Sequence, residues 1–166
     1  DANGCTDLLI EGNDATFVFS STDYRFFIRN SDCVEIRNLN VDWNWKESPL
    51  ASVVTVQNSN TDTNTLDLVF KDAEYCDENC RLMAITQCDP ETYTFGAKYS
   101  SKEVYLYQDG TNIKSVQKIS DNTLRVTHNG CMNGFEDGET YILRHYVYNG
   151  TVFNLRDYSK NITFDN

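Results

Sequence analysis

Proline and glycine are scarce in this sequence, at 2 and 8 residues of 166, and histidine, methionine and tryptophan number 2 each. So little proline and glycine excludes collagen-like or linker-like composition. With 40% hydrophobic and 13% aromatic residues, the chain is not a disordered segment either. No apolar run approaches the roughly 18 residues a membrane span needs, so no membrane span is expected. Basic residues are outnumbered 14 to 25, leaving a formal charge of -11. A field of that sign repels phosphate backbones, so nucleic acid is not expected as a partner. Neutral sugars, cations and basic partners stay open.

Helical periodicity is also lacking. The first 43 residues carry short alternating runs: Leu8-Leu9-Ile10, Phe17-Val18-Phe19, Phe26-Phe27-Ile28, Val34-Glu35-Ile36 and Leu39-Asn40-Val41. Clusters such as Glu11-Gly12-Asn13-Asp14 and Ser20-Ser21-Thr22-Asp23 separate them and read as turns. One pattern recurs. Ile28-Arg29-Asn30-Ser31-Asp32-Cys33-Val34-Glu35-Ile36 returns as Leu155-Arg156-Asp157-Tyr158-Ser159-Lys160-Asn161-Ile162-Thr163-Phe164, with one extra residue in the turn. A repeated unit of very short strands predicts a stack of parallel β-coils, interrupted after Val41 and resumed near Val152.

The interruption reads as antiparallel strands. Ser52 to Val56 and Leu66 to Phe70 flank a run of turn-formers, a hairpin pattern. Further strands are expected at Leu82 to Thr86, Glu103 to Tyr107, Ser115 to Ile119, Thr123 to Thr127 and Tyr141 to Tyr148. Closing them into a small barrel or sandwich would remove exposed edges. The expected fold class is therefore all-β: partial right-handed parallel β-helix coils in 1–44, an inserted antiparallel β-barrel or sandwich in 45–140, and a return to a coil in 141–166.

Asp42-Trp43-Asn44-Trp45 lies where the coil ends. Two indoles, a carboxylate and an amide suit a sugar, offering a flat apolar face and groups for hydroxyls. Asp42, Trp43 and Trp45 are the candidate substrate-binding residues. The competing reading packs one indole under the insertion and uses the other to cap the β-helix edge. The six cysteines suit an oxidising compartment and one or two disulfides; buried free thiols, or zinc on the central four, are the alternatives. Glu136-Asp137-Gly138-Glu139 could offer oxygens to calcium but lacks the spacing of a dedicated loop. His128 and His145 accompany no catalytic motif and read as structural. Asn149-Gly150-Thr151 and Asn161-Ile162-Thr163 fit the glycosylation pattern. Neither a metal nor a cofactor is assigned.

The run from Phe27 to Trp43, ending Ile36-Arg37-Asn38-Leu39-Asn40-Val41-Asp42-Trp43, resembles pectate-lyase-type right-handed β-helices. With Gly138-Glu139-Thr140-Tyr141-Ile142-Leu143-Arg144-His145 and Phe153 to Asp157 followed by Asn161-Ile162-Thr163, it is most similar to glycoside hydrolase family 110, the inverting exo-α-galactosidases acting on α-1,3-linked galactose. That resemblance implies a fragment of a secreted or cell-surface glycoside hydrolase, with a galactose-containing glycan as partner. The family's catalytic carboxylates lie on later coils, so none is assigned here and the fragment alone is expected to be inactive. A non-catalytic carbohydrate-binding or adhesion module and a structural β-helix segment are the rival readings. An uncovered coil face would offer a route to self-association.

Overall fold

A computed structural model describes residues 1–20, 26–96, 102–106, 111–146 and 151–165. The chain is all-β. Its strands are β1 (Ala2–Asn3), β2 (Thr6–Phe19), β3 (Phe26–Arg29), β4 (Asp32–Trp43), β5 (Ala51–Asn60), β6 (Thr65–Phe70) and β7 (Leu82–Gln87). They continue with β8 (Glu103–Tyr105), β9 (Ile113–Ser120), β10 (Thr123–His128), β11 (Thr140–His145), β12 (Phe153–Arg156) and β13 (Lys160–Asp165). Two compact units result: Asp1–Ser48 with Asn149–Asn166, and Pro49–Tyr148. No helix among the described residues is long and apolar enough to cross a membrane.

The first unit consists of two three-stranded parallel sheets, β1-β3-β12 and β2-β4-β13. The recurring pattern is a pairing register. Leu155 and Arg156 lie beside Ile28 and Arg29, and Ile162 and Phe164 lie beside Val34 and Ile36. Ala2 and Leu8 occupy the same columns in the first layer, beside Ile28 and Val34. Between the sheets the backbone turns through left-handed residues in every layer. Gly4, Asn30 and Asp157 form one such column, with φ of 68°, 48° and 53°. Asp7, Cys33 and Asn161 form the next, at 53°, 55° and 54°. The serine of the repeat closes this corner: Ser31 Oγ donates to Arg29 O (2.7 Å) and Ser159 Oγ to Arg156 O (2.7 Å). Ile28, Val34 and Ile36 form the small core of this unit.

The right-handed β-helix expected from the repeat is not what forms. Very short strands separated by turns are required for a coil. Here β2 and β4 run on for 14 and 12 residues, and the parallel strands make two small sheets with no coil among the described residues. The cluster at Glu11–Asp14 is an irregularity within β2, where the register to β4 shifts between Glu11 and Ala15. The expected turn at Ser20–Asp23 lies mostly outside the described residues.

The second unit is one antiparallel sheet in the order β8-β7-β11-β5-β6-β10-β9. Alternation along β5 and β11 buries Val54, Val56, Tyr141 and Leu143 on one face, where they meet Leu66, Leu68, Leu124 and Val126. The sheet curls into a half-barrel but does not close, because β8 and β9 are its ends among the described residues. Thr140–His145 pairs with both β5 and β7, which places this segment in the sheet and sets the unit's boundaries at 49 and 148. Tyr107, Val147 and Tyr148, included in the expected strands, lie outside the described residues.

Candidate functional site

Asp42 and Trp43 end β4, opposite Val18 and Phe19 of β2. The chain then makes a tight turn whose backbone donors are taken up locally. Asn44 N–H donates to Phe19 O (2.8 Å), Trp45 N–H to Trp43 O (3.0 Å) and Ser48 N–H to Asn44 O (3.0 Å). Glu47 N–H donates to Asn44 Oδ1 (3.2 Å), and Asp42 Oδ1 accepts the Trp43 N–H at 2.7 Å. The two indoles take different parts. Trp43 is half-buried and its Nε1–H donates to Ser48 O, strapping the turn shut, while Ser48 Oγ donates to Ser20 O. Trp45 is 50% exposed. The proposed set thus resolves into a strut, Trp43, and a displayed aromatic face, Trp45, with the exposed Asp42 carboxylate at the base of the turn. A rigid flat apolar surface beside polar groups can stack against a ring and hydrogen-bond to its substituents.

A groove of about 430 Å³ lies along the β2-β4-β13 sheet. Asp7, Leu8 and Leu9 of β2, Cys33, Val34 and Glu35 of β4, and Asn161 and Thr163 of β13 line it. Asp7, Leu9, Cys33, Glu35, Asn161 and Thr163 are alternate residues of adjacent strands, so the pleat turns them to one side, while Leu8 and Val34 between them belong to the small core. The sequence carried a usable signal, polar residues at every second position of the repeat, but not the curvature that makes a groove of them. Chemically the groove is quiet. A hydrogen bond to Asp32, burial and the nearby charges of Asp32 and Asp7 push the Cys33 thiol up, so it stays protonated. Hydrogen bonds from Asn161 and Lys160 hold Asp32 below the usual carboxylate range.

The other candidates are structural. His145 is buried, with Nε2 3.0 Å from Ser52 Oγ, and burial pushes it down to about 4 against the opposing effect of a backbone hydrogen bond at Pro49. A serine beside an imidazole is a nucleophile–base pair in the open; with both groups buried it is a core hydrogen bond. His128 is buried too, its Nδ1 accepting the Gly130 N–H at 2.9 Å. In the Glu136–Glu139 segment two of the three carboxylates are already engaged. Asp137 accepts from Ser59 N–H, and Glu139 accepts from Gln87, Lys102, Tyr141 and the Glu136 N–H. Among the described residues no group of His, Cys, Asp and Glu could hold a metal ion.

The cysteines correct the disulfide expectation, for all six are free. Several thiols instead point at main-chain carbonyls: Cys88 Sγ lies 3.7 Å from Thr140 O and Cys131 Sγ 3.5 Å from Asn112 O. Burial pushes Cys80 up to about 11, and raises Cys76, Cys88 and Cys131 as well. The sequon at Asn149 lies mostly outside the described residues. Asn161 of the second sequon donates through Nδ2 to Asp32 Oδ1 at 2.7 Å.

The sequence matches no known protein-family model and no curated protein. The resemblance to the exo-α-galactosidases is therefore not upheld. Its motif residues have local reasons of their own. Arg29 and Arg156 share a column of the parallel pairing, and Tyr141, Leu143 and His145 are the inward side of β11.

Proposed function

We propose that this protein binds carbohydrate without transforming it, as part of a secreted or cell-surface carbohydrate-active protein, with Trp45 as the stacking platform. One observation carries this reading: Trp45 is half exposed on a turn whose backbone is already fixed by hydrogen bonds. Such a surface loses little freedom when a ligand docks, so the contact is not offset by ordering. Asp42 supplies an acceptor for sugar hydroxyls. A galactose-containing glycan fits this chemistry. The axial C4 hydroxyl leaves the opposite face of the ring continuously apolar, a match for one indole.

Galactose-terminated oligosaccharides titrated against the protein, read by calorimetry, test the reading. Trp45→Ala is expected to weaken binding by roughly tenfold or more, and Asp42→Ala less, with the fold intact by circular dichroism. Equal affinity of Trp45→Ala and wild type, or no binding by wild type, would overturn it. Trp43→Ala is a poor probe, since the strap to Ser48 would be lost with it.

A further inference from the structure

Of the asparagines in the chain, only Asn149 and Asn161 have Ser or Thr two positions on. Asn161 is the one that lies in a strand. The pleat of β13 sends Asn161 and Thr163 to one side and Ile162 to the other. Ile162 packs against Ile28, Val34 and Ile36, whereas Asn161 and Thr163 are both exposed and line the groove along the β2-β4-β13 sheet. That exposure does not depend on β13 being the last strand of its sheet. Cys33 occupies the same column in β4, with a strand on either side, and it is exposed too. The backbone suits the residue as well. Asn161 has φ of 54°, in the left-handed region that Asn adopts more readily than most residues. Its Nδ2 donates to Asp32 Oδ1 at 2.7 Å and carries a second hydrogen beyond that bond.

We infer that Asn161 carries an N-linked oligosaccharide whose first sugar stands in this groove. The inference rests on the secreted or cell-surface location proposed above, and not on Trp45. The sequence supplies the acceptor, an amide followed at the second position by a hydroxyl, with no proline between. The donor is an oligosaccharide carried on a lipid pyrophosphate. A bond forms between Nδ2 and C1 of the first sugar, and the C1–O bond to the pyrophosphate breaks. The lipid pyrophosphate leaves with the electron pair, and one Nδ2 proton passes to the transferase. Attachment acts on the unfolded chain, so what the fold must supply is room for the product. The groove supplies it: a sugar on Asn161 would stand over Cys33, its neighbour in the column. The amide keeps one N–H, and the local charge is unchanged.

The full chain, secreted from a eukaryotic host behind a cleaved leader and carrying Asn149→Gln, tests this with one sequon left. Mass spectrometry is expected to find an oligosaccharide on the peptide that holds Asn161. Asn161→Gln and Thr163→Val should each abolish it, and Thr163→Ser should keep it. Thr163→Val leaves the Asn161–Asp32 bond in place, so it serves should Asn161→Gln fold poorly. The same chain made in bacteria lacks the glycan and gives the comparison for the groove. After mild reduction of both proteins, maleimide labelling of Cys33, read on its own peptide, is expected to be several-fold slower in the glycosylated one. An unmodified Asn161 peptide, or Cys33 labelled equally fast in both proteins, would overturn the inference. Galactose binding by Trp45 is measured on the bacterial protein, so the failure of either reading is seen apart from the other.

Discussion

Gly12 is the glycine with least room among the described residues. A Cβ built there would lie 2.3 Å from Asn38 O and 2.9 Å from the Asn38 carbonyl carbon, both main-chain atoms that cannot swing aside. The close approach occurs where β2 shifts register against β4, and Asn13 and Asp14 follow it in the left-handed region at φ of 49° and 60°. Gly12→Ala should therefore destabilise the first unit by about 1–3 kcal/mol, the usual range for forced overpacking. Urea unfolding read by far-ultraviolet circular dichroism would show it; an unchanged midpoint would mean that β2 can shift away from β4. The residue types at this site announced something irregular. They did not say whether it was a turn or a break inside a strand, because both use the same small and polar residues. The repeated arginine and serine were plain in the sequence, yet that Ser31 and Ser159 cap carbonyls at a corner required the two layers to be seen side by side.

Strand by strand, the alternation of the second unit translates directly into burial. Ser52, Val54 and Val56 point inward from β5, and Tyr141, Leu143 and His145 from β11. The cost of that regularity falls on His145, an ionisable group in an inward position, kept neutral beside Ser52. In the folded protein it takes up a proton only near pH 4. In the unfolded chain it does so near pH 6.5. Unfolding thus binds a proton across that window, and stability falls as pH drops from about 6.5 to about 4, by up to about 3 kcal/mol. His128, lowered chiefly by burial, adds to the same slope. Urea midpoints at pH 7, 5.5 and 4 are expected to decline for wild type and to decline less for His145→Gln; parallel slopes would show that His145 does not set the dependence. A cross-strand pair illustrates what alternation leaves out. Asp67 and Arg125 face each other in the β6–β10 register and join through two 2.8 Å hydrogen bonds, with Asn58 donating to the same carboxylate. That guanidinium holds Asp67 below its usual range. Nothing in the sequence links residues 58, 67 and 125 until the sheet order is known.

For the whole molecule, the two units divide the work of folding unequally. The larger core belongs to Pro49–Tyr148, and the first unit relies on a small one around Ile28, Val34 and Ile36. The strands that open and close the larger unit are neighbours, with Ala51 paired to Arg144, so its two ends lie close together. A segment with its own core and adjacent ends can fold alone. Residues 49–148 produced separately should show one cooperative thermal transition by calorimetry; a broad, heatless melt would show that the sheet depends on the rest of the chain. By itself the sequence determined the all-β class, most strand positions and the repeat that joins residue 28 to residue 155, because alternation and turn chemistry are local and are written residue by residue. Tertiary structure alone decided that, among the described residues, the parallel strands make two small sheets and no β-helix coil and the antiparallel sheet stays open, that the thiols are unpaired, and that Trp43 straps a turn which Trp45 displays. Each of those outcomes depends on which groups distant in the chain come within a few ångströms of one another, and only packing sets that.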